Sequence, residues 1–449
     1  MLGSGPEVDG MLISGTSAAE IAGSVRDLIA SGELAPQDPL PSVRTLAEEL
    51  GVNRNTVASA YRLLVVAGEA VTRGRGGTVV AGVPQLASEG AWFGGRLTDL
   101  ASGNPDPKLL PDVLDALRGD GYRPALYGAP PVDERLAGWA AEQFAPDIGE
   151  RRFRVLITHG AVDATERLLN AYLTRGDAVA VEDPCFLASI GTLRLNGFRT
   201  VAVPVDGQGM RPDALRAALE SGVRAVVCTP RAHNPTGVSI SEERAAELRT
   251  VLADHPGALL IEDDHFWAVS RTSYHRMTPP DSTRWALVRS ASKFLGPDLR
   301  LALLACDEET AARLETRLNT GTTWVSGLLQ HAAHVLLTDP DVTDLTARAR
   351  EIYVQRSTLL LVRLAEHDID VPDGYRPNGL NVWIPLKTSA RPVADMLARR
   401  GWAVQPGDLF TSGTSRAQAV RVTTSMLTEE QAAQFAADLA GILHGPDRY

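Results

Sequence analysis

Two folds of different class are predicted from this sequence: an α+β winged helix-turn-helix unit over residues 1–81 and, past a linker at 82–96, a larger α/β domain over 97–449. Three observations carry the prediction. Residues 16–80 hold three apolar stripes at helical spacing, each closed by a glycine, then two short apolar runs around a glycine-rich tip. Beyond Leu97, short β-branched runs alternate with helical stripes, as in a largely parallel sheet covered on both faces. Between the two, the pattern lapses into Gly, Pro, Ser and isolated apolar residues, as a linker does.

The first helix starts at Ser17 or Thr16, either of which can cap it, turns Ile21, Val25, Leu28 and Ile29 to one face, and stops at Gly32. A loop with Pro36, Pro39 and Pro41 leads to Ser42, cap of a second helix with Val43, Leu46, Ala47 and Leu50, ended by Gly51. Asn53 caps a third with Val57, Ala60, Tyr61, Leu64 and Val65, ended by Gly68. Ala70-Val71 and Thr78-Val79-Val80 then read as strands around Arg73-Gly74-Arg75-Gly76-Gly77. In the large domain the strand runs are 155–157, 178–181, 201–203, 225–228, 258–261, 285–288 and 301–304, with helical stripes at 162–173 and 241–252. They predict a sheet-bearing large subdomain over about 122–325. Long helical patterns after Leu328, a Pro/Gly-rich strand region over 371–421 and a final helix over 429–443 predict a smaller α+β subdomain over about 326–449, completed by the start of the domain.

Composition excludes several classes. At 44% hydrophobic and 22% charged residues the chain is not disordered, and 449 residues exceed the ~250–300 that one core covers. The 40 glycines and 28 prolines follow no short period, which excludes collagen-like or coiled-coil chains. Cys185, Cys228 and Cys306 lack the paired spacing of a disulfide framework or zinc site, so no metal is expected. No apolar stretch reaches the ~20 residues of a membrane span and the start carries no secretory signal, so a cytoplasmic protein without a membrane partner is expected. A net charge of −11 leaves room only for a local basic face. Of 44 basic residues only Lys108, Lys293 and Lys387 are lysines, which limits any amine chemistry to three candidates.

Ligands of open parallel sheets sit at the carboxyl ends of the strands. There the sequence places Thr158-His159-Gly160-Ala161, opening a helix whose free N–H groups favour phosphate. Phe186 follows the second run, Asn234 the fourth, Asp263-Asp264-His265 the fifth, and Ser290-Ala291-Ser292-Lys293 with Arg300 the sixth. A phosphate nest, an aromatic platform, an asparagine, an acid and a lysine match the needs of pyridoxal 5′-phosphate. Singly, each has an ordinary reading. A lone lysine is usually a surface residue, as Lys108 and Lys387 are read; Asp263 alone could cap a turn, Phe186 could be core, and Arg421 could pair with an acid. His159 and His265 read as local hydrogen-bonding residues, and the cysteines as core. The strand-end setting of Lys293, 30 residues after Asp263, favours the cofactor reading.

Over about 100–443 the chain resembles the aspartate aminotransferase superfamily, of fold type I, on Asn234-Pro235-Thr236-Gly237 and on Ser290-x-Ser292-Lys293 with Arg300. The resemblance implies that Lys293 attaches the cofactor as a Schiff base, Asp263 pairs with the ring nitrogen, Asn234 bonds the ring oxygen and Phe186 stacks on the ring. It implies that Gly160, Ala161, Ser290 and Arg300 hold the phosphate, that Ser292 also binds the cofactor, that His265 lies near the ring oxygen, and that Tyr127 reaches in from a partner subunit. Arg421 matches the arginine that grips a substrate carboxylate, a bidentate task suited to a guanidinium. His265 and Phe186 stand where many relatives have tyrosine, and His159 where a small hydroxyl residue is commoner; these departures weaken the expectation of efficient transamination.

The N-terminal unit resembles the DNA-binding domain of GntR-type regulators, on Leu40-Pro41-Ser42-x-Arg44, Gly51-Val52-Asn53-Arg54-Asn55-Thr56-Val57, Ala60-Tyr61 and Gly76-Gly77-Thr78. The first turn of the third helix would enter a major groove and the tip a minor groove. The DNA-contacting set so implied is Ser42, Arg44, Asn53, Arg54, Asn55, Thr56, Tyr61, Arg73, Gly74 and Arg75, with Ala58 where some relatives place a further arginine. Over 42–80 five arginines face three acids, a modest net of +2, so binding should be salt-sensitive and use two copies of the module. A helical dimerisation arm is the plainer alternative, and the wing fits it poorly. Together the halves resemble the MocR group of bacterial regulators. Gly103-Asn104-Pro105-Asp106-Pro107, 182–187, 229–234 and Asp263-Asp264-His265-Phe266 resemble its branch associated with control of a pyridoxal kinase gene. The implied protein is a homodimeric transcriptional regulator of vitamin B6 metabolism, responsive to pyridoxal phosphate, a related B6 compound or an amino acid. A working class I aminotransferase with a vestigial N-terminal domain is the rival reading, kept open by Lys293, Asp263, Asn234 and Arg421.

Overall fold

The computed structural model describes residues 13–72, 77–81, 97–119, 121–372, 374–413 and 416–445. The expected linker at 82–96 and Arg73, Gly74 and Arg75 of the expected wing tip lie outside the described residues. The chain divides into two compact units.

In the N-terminal unit, α1 (Ala18–Ser31), α2 (Val43–Leu50) and α3 (Arg54–Ala67) begin at side-chain caps and end on left-handed glycines. Ser17, not Thr16, caps α1: its hydroxyl accepts from the Glu20 N–H while the Glu20 carboxylate accepts from the Ser17 N–H, a capping box. Ser42 accepts from the Thr45 N–H at 3.1 Å and Asn53 from the Asn55 N–H at 2.8 Å. The apolar stripes meet in one core that includes Ile21, Val25, Leu46, Val57 and Leu64. Strands β1 (Ala70–Thr72) and β2 (Thr78–Val80) pair antiparallel. The proline-rich segment before α2, expected as plain loop, lines the edge of this hairpin: Leu40 donates to the Thr78 carbonyl and Val80 to that of Asp38. Proline tolerates this edge because it needs to give no N–H to a further strand.

The second unit is built on an eight-stranded sheet. β3 (Thr98–Asp99) lies outside it; the sheet comprises β4 (Arg154–Thr158), β5 (Ala178–Asp183), β6 (Arg199–Asp206), β7 (Gly209–Met210), β8 (Ala225–Cys228), β9 (Leu259–Asp263), β10 (Trp285–Ser290) and β11 (Ala302–Cys306). The order is β4-β11-β10-β9-β8-β5-β6-β7, and β4, β5, β6, β8, β9 and β10 run the same way. β11 is antiparallel to both its neighbours, which an apolar run cannot reveal. Its direction follows from its connection: the eleven residues after Ser290 contain only a short 3₁₀ turn, too little for a covering crossover helix. Apolar clusters fill both faces of the sheet, as its continuous runs predict.

Further on, β12 (Asn381–Pro385), β14 (Gln405–Pro406) and β15 (Ala419–Thr423) form a three-stranded antiparallel sheet. It shares a core with the long helix over Pro340–Ala365, the helix over Ala390–Arg399 and the last helix over Glu429–His444. The helix over Ala390–Arg399 interrupts what the sequence suggested was strand; Pro392 sits in its first turn, where an N–H has no helical partner to lose. The start of the domain joins in, with β3 pairing in parallel with β13 (Trp402–Ala403).

Candidate functional site

The carboxyl ends of the parallel strands gather most of the expected groups. After β4 the chain turns at Gly160 into the helix over Ala161–Tyr172, which has no side-chain cap. Gly160 stands at φ 95°, a backbone that favours glycine, and a Cβ there would lie 3.0 Å from Arg300 Nη2. Arg300 in turn donates to the His159 carbonyl at 3.3 Å. Uncapped helical N–H groups beside a guanidinium make an anion cradle. Ser290 belongs to the same row of the sheet as Thr158, with Ala302 between them, at about 10 Å by strand spacing. Its hydroxyl donates to that of Ser292 at 2.9 Å.

Asp263 ends β9, buried. Its Oδ2 lies 3.3 Å from His265 Nδ1, while Oδ1 is buried with no hydrogen-bond partner among the described residues. Such an acceptor forgoes about 1–3 kcal/mol and suits a donor supplied from outside the chain. The His265 ring stacks on Phe186, centroids 5.7 Å apart, and packs on Phe266 at 4.6 Å. Lys293 Nζ is 5.6 Å from the Phe266 ring and donates to the Gly103 carbonyl at 2.8 Å. Asn234 Oδ1 accepts from Arg421 Nη1 at 3.1 Å; Arg421, 0% exposed on β15, also donates to the Ala101 carbonyl and lies over Phe410. Phe186, Asp263, His265 and Lys293 therefore form one group through Phe266. Asn234 and Arg421 join it through the backbone of 101–103.

Tyr127 stands apart, 94% exposed with its ring against Trp324. Lys108 and Lys387 are exposed. All three cysteines are buried, and burial pushes their thiols up, away from reactivity. The backbone N–H of His159 donates to Asp163 at 3.2 Å, and its ring Nδ1 has no hydrogen-bond partner among the described residues. Sequence reasoning passed over Asp264, which is 0% exposed and pairs with Arg231 at 2.5 Å and Arg289 at 3.2 Å. The signal available was an acid just past one strand, with one arginine beyond the end of a flanking strand and another near the end of the other. Also missed were the backbone acceptors Ala101 and Gly103, which no side chain announces.

In the N-terminal unit Asn53, Arg54 and Asn55 are exposed on the first turn of α3, with Thr56 half-buried beside them. Arg44 and Arg54 both approach Glu48, at 3.0 and 3.6 Å; with all three side chains more than half exposed, these pairs are weak. Ser42 is exposed but its hydroxyl is occupied in the cap of α2. Tyr61 corrects the expectation that it faces DNA. It is 4% exposed and its hydroxyl donates to the Pro41 carbonyl at 2.7 Å, so it locks the proline segment to α3. Burial pushes its hydroxyl pKa upward.

Residues 96–439 match the aminotransferase class I and II family model, and residues 17–80 that of bacterial regulatory proteins of the gntR family. The chain belongs to the MocR-like class of regulators, in which a GntR helix-turn-helix domain precedes an aminotransferase class I and II domain. It is 45% identical, over 95% of its length and 99% of the relative's, to the vitamin B6 salvage pathway transcriptional repressor PtsJ of Salmonella typhimurium. It is 27% identical, over 88% of this chain and 89% of the relative, to the pyridoxine biosynthesis transcriptional regulator PdxR of Corynebacterium glutamicum. The solved Pyrococcus horikoshii kynurenine aminotransferase superposes with a TM-score of 0.72 at 20% identity, covering 79% of this chain and 93% of its own, and so shows the fold alone. Among the described residues no helix is long and apolar enough to cross a membrane, and no cluster of His, Cys, Asp and Glu could hold a metal.

Proposed function

We propose that this protein is a cytoplasmic, homodimeric, DNA-binding transcriptional regulator of vitamin B6 metabolism whose C-terminal domain senses pyridoxal 5′-phosphate. The observation that carries the reading is the buried Asp263 Oδ1, without a hydrogen-bond partner among the described residues, in one group with Lys293, the lysine that follows a strand of the large sheet. When bound, the cofactor supplies an aldehyde that a lysine amine can take up covalently. Lys293 would hold it, and Asp263 would accept the pyridine N–H. Asn234 would orient the ring oxygen with His265 nearby, and Phe186 would cover the ring. Gly160, Ala161, Ser290, Ser292 and Arg300 would hold the phosphate, and Tyr127, so exposed in its own chain, would complete a partner's site. Arg421 would receive a carboxylate if the effector is an amino compound.

Residues 1–81 would bind DNA through Arg44, Asn53, Arg54, Asn55 and Thr56, with Ser42 at the cap and Arg73, Gly74 and Arg75 in the wing, and 82–96 would link them to 97–449. Transaminase turnover is weak in this reading, because His265 replaces the usual tyrosine; rapid turnover with a keto-acid acceptor would favour the enzyme instead. The test is a mobility shift on DNA neighbouring the protein's own gene, with wild type and Lys293→Ala, each with and without pyridoxal phosphate. The cofactor should change the wild-type affinity and leave that of the variant alone. No shift under any condition removes the DNA-binding half of the reading.

A further inference from the structure

Residues Leu100–Asp106 form a strap across the candidate site, and its bonds are unequally shared. Toward the small subdomain it is held many times. Leu100 donates to the Ala403 carbonyl and accepts from the Thr423 N–H, and the Gly103 N–H donates to Thr423 Oγ1 at 3.1 Å. Ser425 donates to the Asn104 carbonyl at 2.6 Å, and Arg356 pairs with Asp106 at 2.9 Å. From the large subdomain comes Lys293, whose Nζ donates to the Gly103 carbonyl at 2.8 Å. Gly103 itself stands at φ 69°, which aims that carbonyl with a backbone few other residues adopt.

From this we infer that the strap is the element that reads the state of Lys293, released from the large subdomain when a ligand takes the amine. The inference rests on the proposed function above, since the ligand is the aldehyde assigned there. The nitrogen that donates to Gly103 is the one that condenses: a C=N bond forms between Nζ and the aldehyde carbon as the C=O bond breaks, the aldehyde oxygen leaves as water with two of the three ammonium hydrogens, and the nitrogen, now tied to the aldehyde carbon, no longer donates to Gly103. The strap then moves with the small subdomain, to which β3 and its remaining bonds hold it. In the chain, β3 is the first described element after 82–96, so the movement is delivered where the DNA-binding unit is attached. Binding of a ligand ordinarily slows exchange of the backbone it covers; this arrangement requires the opposite at 100–106.

The test is amide hydrogen exchange of the peptide spanning 100–106 in full-length wild type, Lys293→Met and Lys293→Arg, with and without pyridoxal phosphate. Borohydride labelling of Lys293 in parallel wild-type samples reports attachment. Wild type should exchange about three- to tenfold faster at the strap with the cofactor than without it. Lys293→Met should be fast in both conditions. Lys293→Arg, which keeps a donor but cannot take up the aldehyde, should be slow in both. A label on Lys293 with unchanged or slower strap exchange overturns the inference and leaves the cofactor reading standing. Strap exchange in Lys293→Met as slow as in wild type without cofactor also overturns it. Absence of any label overturns the cofactor reading beneath it.

Discussion

The strand-end site and the first turn of α3 hold ligand-binding side chains in opposite ways. At the strand ends Asn234, Asp263, His265 and Arg421 are buried, and the groups are drawn from positions as far apart as 101 and 421, each fixed by a different strand or strap. On α3 they are exposed and consecutive, Asn53-Arg54-Asn55, and one helix cap sets their geometry. A buried group is both ligand holder and part of the fold; an exposed one is only a contact. Mutations should therefore cost stability in the first region and affinity in the second.

The largest effect that separates the regions is all-or-none. Lys293→Ala should abolish borohydride-fixed labelling by pyridoxal phosphate, and its DNA affinity should be the same with and without the cofactor. Next comes stability. Arg421→Leu leaves the Ala101 carbonyl and Asn234 Oδ1 without their buried donor and should cost about 3–5 kcal/mol in denaturant unfolding of the large unit. Arg54→Ala, at an exposed position, should cost less than about 0.5 kcal/mol. Equal losses would break the comparison. Affinity reverses the order: Arg54→Ala should weaken DNA binding about tenfold and lower the salt slope by about one. The smallest effect sharpens the boundary within the N-terminal unit. Tyr61→Phe removes the bond to Pro41 and should lower stability by about 0.5–1.5 kcal/mol with the salt slope unchanged. A changed slope would return Tyr61 to the DNA face.

What the sequence makes legible follows the same division. Continuous runs such as Ala225–Cys228 announce strands buried on both faces, and the residues just past them announce the site because sheet topology puts strand ends together. Caps at Ser17, Ser42 and Asn53 are local and therefore readable. Strand direction is not local: β11 looks like its parallel neighbours and differs only in its connection. Tyr61 shows a motif overriding a pattern. Its place on the stripe of Val57, Ala60 and Leu64 already marked it as core, and core is where it lies. The Asp264 pairs and the Gly103 carbonyl were hidden for different reasons, the first because the ion pairs join residues far apart in the chain, the second because an acceptor on the backbone has no letter in the sequence.

Two ligands that favour the same state of one protein must change each other's affinity by the same factor. The central claim, that cofactor and DNA share such a state, is tested by titrating pyridoxal phosphate into the full-length protein, followed by its absorbance, with and without saturating DNA from the region beside its own gene. The account predicts two different dissociation constants, in the ratio by which the cofactor alters DNA affinity. Identical constants, with both ligands shown to be bound, would contradict it.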